Sequence, residues 1–323
     1  MCSGVRNVTI RANMQLGYAV FYECASLTSV TIEEGVTVIP EWTFGYCNGI
    51  TQINLPNTVE KIENYALNNC SSLASITIPA SVVSIGQSAI GQCGSLESIV
   101  VEPENGVYDS RENCNALIET ATNTLLKGCN NTVIPQDIVT IGREAFAQCY
   151  KLTIIVIPKG VTTIDAWAFF NCTALSSATI PSSVTEIGEA AFYNCTGMTE
   201  LCVFATNPPT IYEETFGNVD KSIPVYVPDG CIEVYRAADY WREFTTFNVY
   251  SGIEGAIADG NIEVITTNGT IAINGVSHNA VVNIYSIQGM LMHTTTAGNI
   301  GNITLPRGMY IVQVEGTTHK IVL

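Results

Sequence analysis

Twelve cysteines and three histidines give this 323-residue chain its widest chemical scope, and their spacing keeps them apart. Cys24, Cys47, Cys70 and Cys93 recur every 23 residues, and so do Cys149, Cys172 and Cys195. The histidines, His278, His293 and His319, all fall beyond that region. A cysteine or serine nucleophile needs a neighbouring base, and no histidine stands among the spaced cysteines to serve as one. Cys-x-x-Cys and His-x-x-x-His pairs, which would hold a metal, do not occur. The glycines form no phosphate-cradling loop. Glu33 with Glu34, Glu102 with Glu104 and Glu213 with Glu214 read as solvated charge on turns. No catalytic, cofactor or metal site is expected, and the chain reads as a binder.

The cysteines themselves mark a repeat. Around each one recurs Val-x-x-Ile, then an Ala-Phe pair ending three residues before the Cys, then Leu three after it, then Ile-x-Ile-Pro. Val59, Ile62, Ala66, Leu67, Cys70, Leu73, Ile76, Ile78 and Pro79 form one copy. Val161, Ile164, Ala168, Phe169, Cys172, Leu175, Ile180 and Pro181 form another. The alternation in Leu-x-x-Ile-x-Ile predicts a short strand, ended by the proline. Val-x-x-Ile predicts a second short extended segment. Ala-Phe-x-x-Cys fits one helical or 3-10 turn, because residues three apart share a face. One such unit cannot cover its own apolar side, so the units are expected to stack into a solenoid.

Two stretches depart from the period. Cys93 and Cys149 are 56 residues apart, which leaves ten beyond two periods of 23. A longer irregular unit is expected at about 102–134, with a hairpin of Ala116–Ile118 and Thr124–Leu126 that either extends a sheet or projects from it. A closing cap is expected at about 204–247, with a helix from about Cys231 to Phe244 and Tyr235, Trp241 and Phe244 as capping core. The block around Cys24 reads as cut at its beginning, and no basic stretch followed by an apolar core marks a signal peptide at the N-terminus.

Ser251-Gly252 reads as a linker. Beyond it, short strands are expected at 262–265, 270–273, 280–287, 290–294, 302–305, 308–314 and 320–323. Asn268-Gly269, Asn274-Gly275, Gln288-Gly289 and Arg307-Gly308 separate them. That pattern predicts a β-sandwich over 252–323.

Charge narrows the partners. Thirteen Lys and Arg against 29 Asp and Glu give a net charge of −16, which makes nucleic acid and anionic membrane surfaces poor partners. No apolar run is long enough to span a bilayer, so no membrane insertion is expected.

The repeat resembles the BspA-like leucine-rich repeats of bacterial surface proteins, over residues 15 to 247. That resemblance implies a mainly β, right-handed leucine-rich-repeat solenoid for 1–247, a cell-surface or extracellular location, and adhesion to host or cell-surface proteins. The tail is similar to the C-terminal sorting domains of Bacteroidota type IX secretion. The similarity rests on Val282–Gly289, on Leu305–Val312 and on Lys320–Leu323.

The stacked strand supplies the candidate binding face. Its outward side chains form one column of Thr31, Asn54, Thr77, Val100, Val156 and Thr179. A second column holds Ser29, Gln52, Ser75, Ser98, Ile154 and Ser177. This face is small, polar and nearly uncharged, and Thr and Ser also suit strands for their own sake. A protein partner fits it best. A glycan partner would require aromatic platforms, for which Trp42 and Trp167, five residues before their Cys, are the candidates. Both are readable as exposed anchors or as partly packed core. A structural spacer that binds nothing is the remaining alternative. The stacked cysteines are expected to be reduced and buried, since parallel Cβ vectors do not suit a disulfide torsion. Cys114 and Cys129 are the pair to test first for a bond.

Overall fold

A computed structural model of the chain describes residues 4–249, 263–267, 270–274, 281–286, 291–300, 309–314 and 317–322. It divides into two compact units, Met1–Val249 and Tyr250–Leu323.

The first unit is a solenoid whose coils carry two strand columns. Ile-x-Ile segments make the wide column, in which successive copies lie parallel and 23 residues apart. Ser75 pairs with Ser98 and Ile78 with Val101, and Ser177 pairs with Glu200 and Ile180 with Val203. Val-x-x-Ile segments make the narrow column, where Ile39 pairs with Ile62, Ile62 with Ile85, and Ile141 with Ile164. A period of one coil thus places each isoleucine on its counterpart. Ile62, Ile76, Ile78, Ile164 and Ile180 are all buried as a result.

The third side of each coil is built otherwise than the spacing predicts. Ala-Phe-x-x-Cys forms a chain of turns and no helix. Residues five before and one before each repeat Cys take positive φ. Trp42 and Tyr46 sit at 57° and 60°, and Trp167 and Asn171 at 59° and 58°. Each such residue costs about 1 kcal/mol. A hydrogen-bond ladder offsets that cost. Trp42, Phe44 and Tyr46 donate their N–H groups to the carbonyls of Asn64, Ala66 and Asn68 in the next coil, at 3.2, 2.8 and 2.9 Å. Trp167, Phe169 and Asn171 do the same to Glu189, Ala191 and Tyr193. A regular helix would keep these donors to itself and leave the coils unlinked on this side.

Phenylalanines three before the Cys stack beneath the turns. Phe146 on Phe169 and Phe169 on Phe192 lie 5.0 and 4.9 Å apart with nearly parallel rings. The array's apolar interior falls into two clusters that meet at the irregular unit. There Tyr108–Asp109, Ala116–Glu119 and Thr124–Gly128 pair antiparallel, and Thr124–Gly128 runs parallel to Thr140–Ile141. The hairpin therefore extends the narrow sheet. Asn105 pins its entry, donating to Pro79 and Val82 carbonyls and accepting from the N–H groups of Val107 and Tyr108.

At the C-terminal end the expected single helix is broken. Ile232–Ala237 is helical, Ala238 is extended, and Trp241–Glu243 is a separate 3-10 turn entered through Tyr240 at φ 60°. The break lets Tyr235, Trp241 and Phe244 all reach the last coil, where each is buried. Tyr235 donates its hydroxyl to Ala205 O at 2.7 Å and Trp241 its indole N–H to Pro209 O at 2.8 Å. Thr246–Val249 then adds the final wide strand, pairing with Pro224–Val227.

The second unit is all β. Glu263–Thr267 and Thr270–Asn274 form a hairpin. Leu291–Thr296, Val281–Ser286, Met309–Val314 and Thr317–Val322 form an antiparallel sheet in that order. Ile271, Val282, Ile284, Val312, Val314 and Ile321 share its core. The strand expected at 302–305 lies outside the described residues.

Candidate functional site

The outward positions of the wide column start as the alternation requires. Ser29, Thr31, Gln52, Asn54, Ser75, Thr77 and Val100 are exposed, and buried Val30, Ile53, Ile76 and Ile99 alternate with them. Gln52, which makes an isolated parallel bridge to Ser75, donates to Asn54 Oδ1 at 3.2 Å. Ser98, Ile154 and Val156 are half-buried. Ser177 and Thr179 are buried, contrary to expectation, with Ser177 donating to Glu200 Oε1 at 3.1 Å. The open polar face therefore runs through the N-terminal coils only.

The turn side carries a second surface, aromatic where the strand face is not. Trp42 stacks on Tyr65 at 4.5 Å and meets Tyr22 edge-on at 5.5 Å, with Tyr46 beside both. Phe170 stacks on Tyr193 at 5.5 Å next to Trp167. Trp42 is half-buried in its cluster, whereas Trp167 is 38% exposed. The Arg143 guanidinium lies 4.2 Å from the Trp167 ring centre, a cation–π contact. Trp167, Phe170 and Tyr193, with Glu189 and Glu214, line a cleft of about 410 Å³. Tyr46 and Tyr65 escaped sequence reasoning. The signal was present in Asn69, Asn171 and Asn194, whose residue type favours positive φ and so marks the turn.

The cysteine ladder is buried as expected, and it does more than fill space. Cys70, Cys93, Cys172 and Cys195 donate their thiols to the carbonyls of Phe44, Leu67, Phe146 and Phe169 in the preceding coil, at 3.2, 3.3, 3.1 and 3.2 Å. Each thiol therefore ties its coil back to the one before. Burial pushes the Cys93 and Cys149 thiols up to about 11 and Cys195 up to about 12. These are inert thiols. Cys114 and Cys129 are buried thiols as well, not bonded to each other. They sit in different halves of the divided core.

Of the three histidines, His278 lies outside the described residues, and His293 is an exposed strand residue opposite Ile284. Among the described residues no three His, Cys, Asp or Glu side chains gather as metal ligands. Among them, too, no helix is long and apolar enough to cross a membrane.

The comparisons with known proteins agree with this architecture. The chain's fold is similar to that of a leucine-rich cell surface protein from Faecalibacterium prausnitzii A2-165. The identity is 24% over 79% of this chain and 75% of that one, with a TM-score of 0.57. It is similar as well to a leucine-rich repeat protein from Eubacterium ventriosum, at 23% identity over 76% and 73% of the two chains, again with a TM-score of 0.57. Among curated proteins, none matches. The BspA type leucine rich repeat region matches residues 1–116 and 122–240 in six copies, so this chain belongs to the BspA-type leucine-rich repeat family.

Proposed function

We propose that the chain is a cell-surface interaction module. In this reading it binds host or cell-surface proteins through its repeat array, without catalysis. The observation that carries this reading is the register of the wide column. Because Ser75 lies on Ser98 and Thr77 on Val100, short side chains, most of them polar, recur coil upon coil as one nearly uncharged surface. Such a face desolvates at small cost and offers hydrogen bonds over an extended length, which suits a protein partner. The −16 net charge keeps nucleic acid and anionic lipid away from it. The tail is proposed to be a sorting-type domain that directs export, in line with its Val282–Gly289, Leu305–Val312 and Lys320–Leu323 segments.

The test is binding of the full chain to immobilised host extracellular-matrix and serum proteins. Asn54→Arg and Thr77→Arg place bulk and charge on the exposed face and leave the core intact, so binding should be lost with the melting temperature kept. Binding that survives both substitutions would put the contact elsewhere. The exposed Trp167 and the Trp42–Tyr65 stack favour a second reading, a glycan ligand on the turn side. Loss of binding in Trp42→Ala or Trp167→Ala, with the arginine variants unaffected, would select it.

A further inference from the structure

After the Cys93 coil the turn-side ladder is interrupted, and the interruption is a lined cavity. In regular coils the N–H groups five and three residues before the Cys donate to the next coil. Tyr65 and Leu67 give theirs to Gln87 and Ala89. The equivalent residues one coil on are Ser88 and Ile90. The irregular unit follows them in place of a normal coil, and among the described residues no carbonyl accepts from either N–H. Beside the gap, Gly128 N–H donates to Ala145 O at 2.8 Å and Gln148 Nε2 donates to Gln92 Oε1 at 3.0 Å, but neither reaches the Ser88 and Ile90 N–H groups. A cavity of about 260 Å³ lies between, lined by Ser88, Ile90, Lys127, Arg143 and Glu144 among others.

Three polar atoms beside this cavity have no hydrogen-bond partner. They are Ser88 Oγ, Lys127 Nζ and Glu144 Oε2. Lys127 is 3% exposed and Glu144 5%. Leaving an ammonium and a carboxylate buried and unpaired is costly, and neighbouring coils show that this fold ordinarily satisfies such places. Ser88 and Glu144 flank the gap at the very position that Trp42, Tyr65 and Trp167 hold elsewhere in the column. The cavity thus offers main-chain donors, an ammonium and a carboxylate.

We propose that this cavity binds a small zwitterion of the α-amino-acid class, a free amino acid or a short peptide. Its carboxylate would take the Lys127 ammonium and the Ser88 and Ile90 N–H groups. Its ammonium would take the Glu144 carboxylate. A simple anion leaves Glu144 unanswered, and a simple cation leaves Lys127 so. This site is separate from the wide-strand face, and the proposal stands whether or not that face binds protein.

The test uses the full chain in calorimetry and thermal melts. The probes are the free amino acids and alanyl-alanine at millimolar concentration, with acetate and ethylamine as single-charge controls. Zwitterions should bind and raise the melting temperature, and the controls should not. Preference for alanyl-alanine would identify a peptide as the source, and preference for a single residue a free amino acid. Lys127→Met and Glu144→Gln should each weaken binding by about tenfold or more, the worth of one charged hydrogen bond. Both variants should still melt cooperatively, since each removes an unpaired buried charge. No heat or shift from any zwitterion, equal binding of acetate, or full binding by both variants would overturn the proposal.

Discussion

Alkaline pH should dismantle the solenoid through its thiols, and the loss can be worked from the structure. Cys93 and Cys149 ionise at about 11 in the folded chain and Cys195 at about 12, against an ordinary value of 9.0. The raised value means the folded state holds its protons longer than the unfolded one. Stability from this source is therefore whole below about pH 9 and falls as pH rises towards about 11. At about pH 10 an unfolded thiol is mostly ionised and a buried one is not. The difference is about 1.4 kcal/mol for each of the three, or about 4 kcal/mol together, which approaches a domain's whole stability. The assay is urea unfolding under reducing conditions at steps from about pH 8 to pH 10. Cys195→Ala should cost about 1 kcal/mol at about pH 8, where it removes buried sulfur and a 3.2 Å bond to Phe169 O. It should then lose about 1.4 kcal/mol less than the parent on going to about pH 10. An equal loss in parent and variant would refute the reasoning. So would thiols in the folded protein that react with a disulfide reagent at the rate of a free thiol.

Other substitutions probe the remaining joints. Gly128→Ala should destabilise by about 1–3 kcal/mol in chemical denaturation, because a Cβ there would overlap the Phe146 ring that anchors the aromatic stack. Asn105→Ala abandons the buried carbonyls of Pro79 and Val82 together with two N–H groups. It should cost about 3 kcal/mol or more and loosen amide-exchange protection around Tyr108 first. Tyr235→Phe leaves Ala205 O without its 2.7 Å donor and should cost about 1–3 kcal/mol, read as a lowered melting temperature.

The coil was legible because burial in a repeat is strictly periodic. Ile76 and Ile78 had to face inward together, and Ile62 had to lie over Ile85, so the strand columns and their parallel pairing followed from spacing alone. The turn side was not legible in the same way. Ala-Phe-x-x-Cys has the spacing of a helical turn, and only the backbone of Trp42, Tyr65 and Trp167, turned to positive φ, reveals that its donors serve the next coil. Nothing in a three-residue spacing separates those two uses of an N–H group. The capping helix failed for a related reason. Tyr235 and Trp241 lie six apart, which suits one face of a helix poorly, and the chain breaks at Ala238 so that both can close the core. Most of the binding columns fall on strand positions, but Asn54 lies outside any strand and Gln52 makes only an isolated bridge to Ser75. The columns' exposure was not readable, since Ser177 and Thr179 have the same local sequence character as Ser75 and Thr77 and yet are buried.

The irregular unit is where this chain departs most from the economy of a repeat. A regular coil inserted between Cys93 and Cys149 would carry the ladder through and join the two halves of the core. The sequence instead places Lys127 at the seam, near enough to Cys93 and Cys149 for its charge to oppose the effect of burial on both thiols. Arg111 holds the unit's outer side by ion pairs to Asp109 and Asp137, with Asn123 as a further acceptor, so the seam is braced against collapse. A loop tolerated by accident would be expected to drift outward and let the coils close. A braced gap that keeps an ammonium, a carboxylate and two N–H groups unsatisfied is a preorganised site, since the cost of holding those groups apart is already met before a ligand arrives.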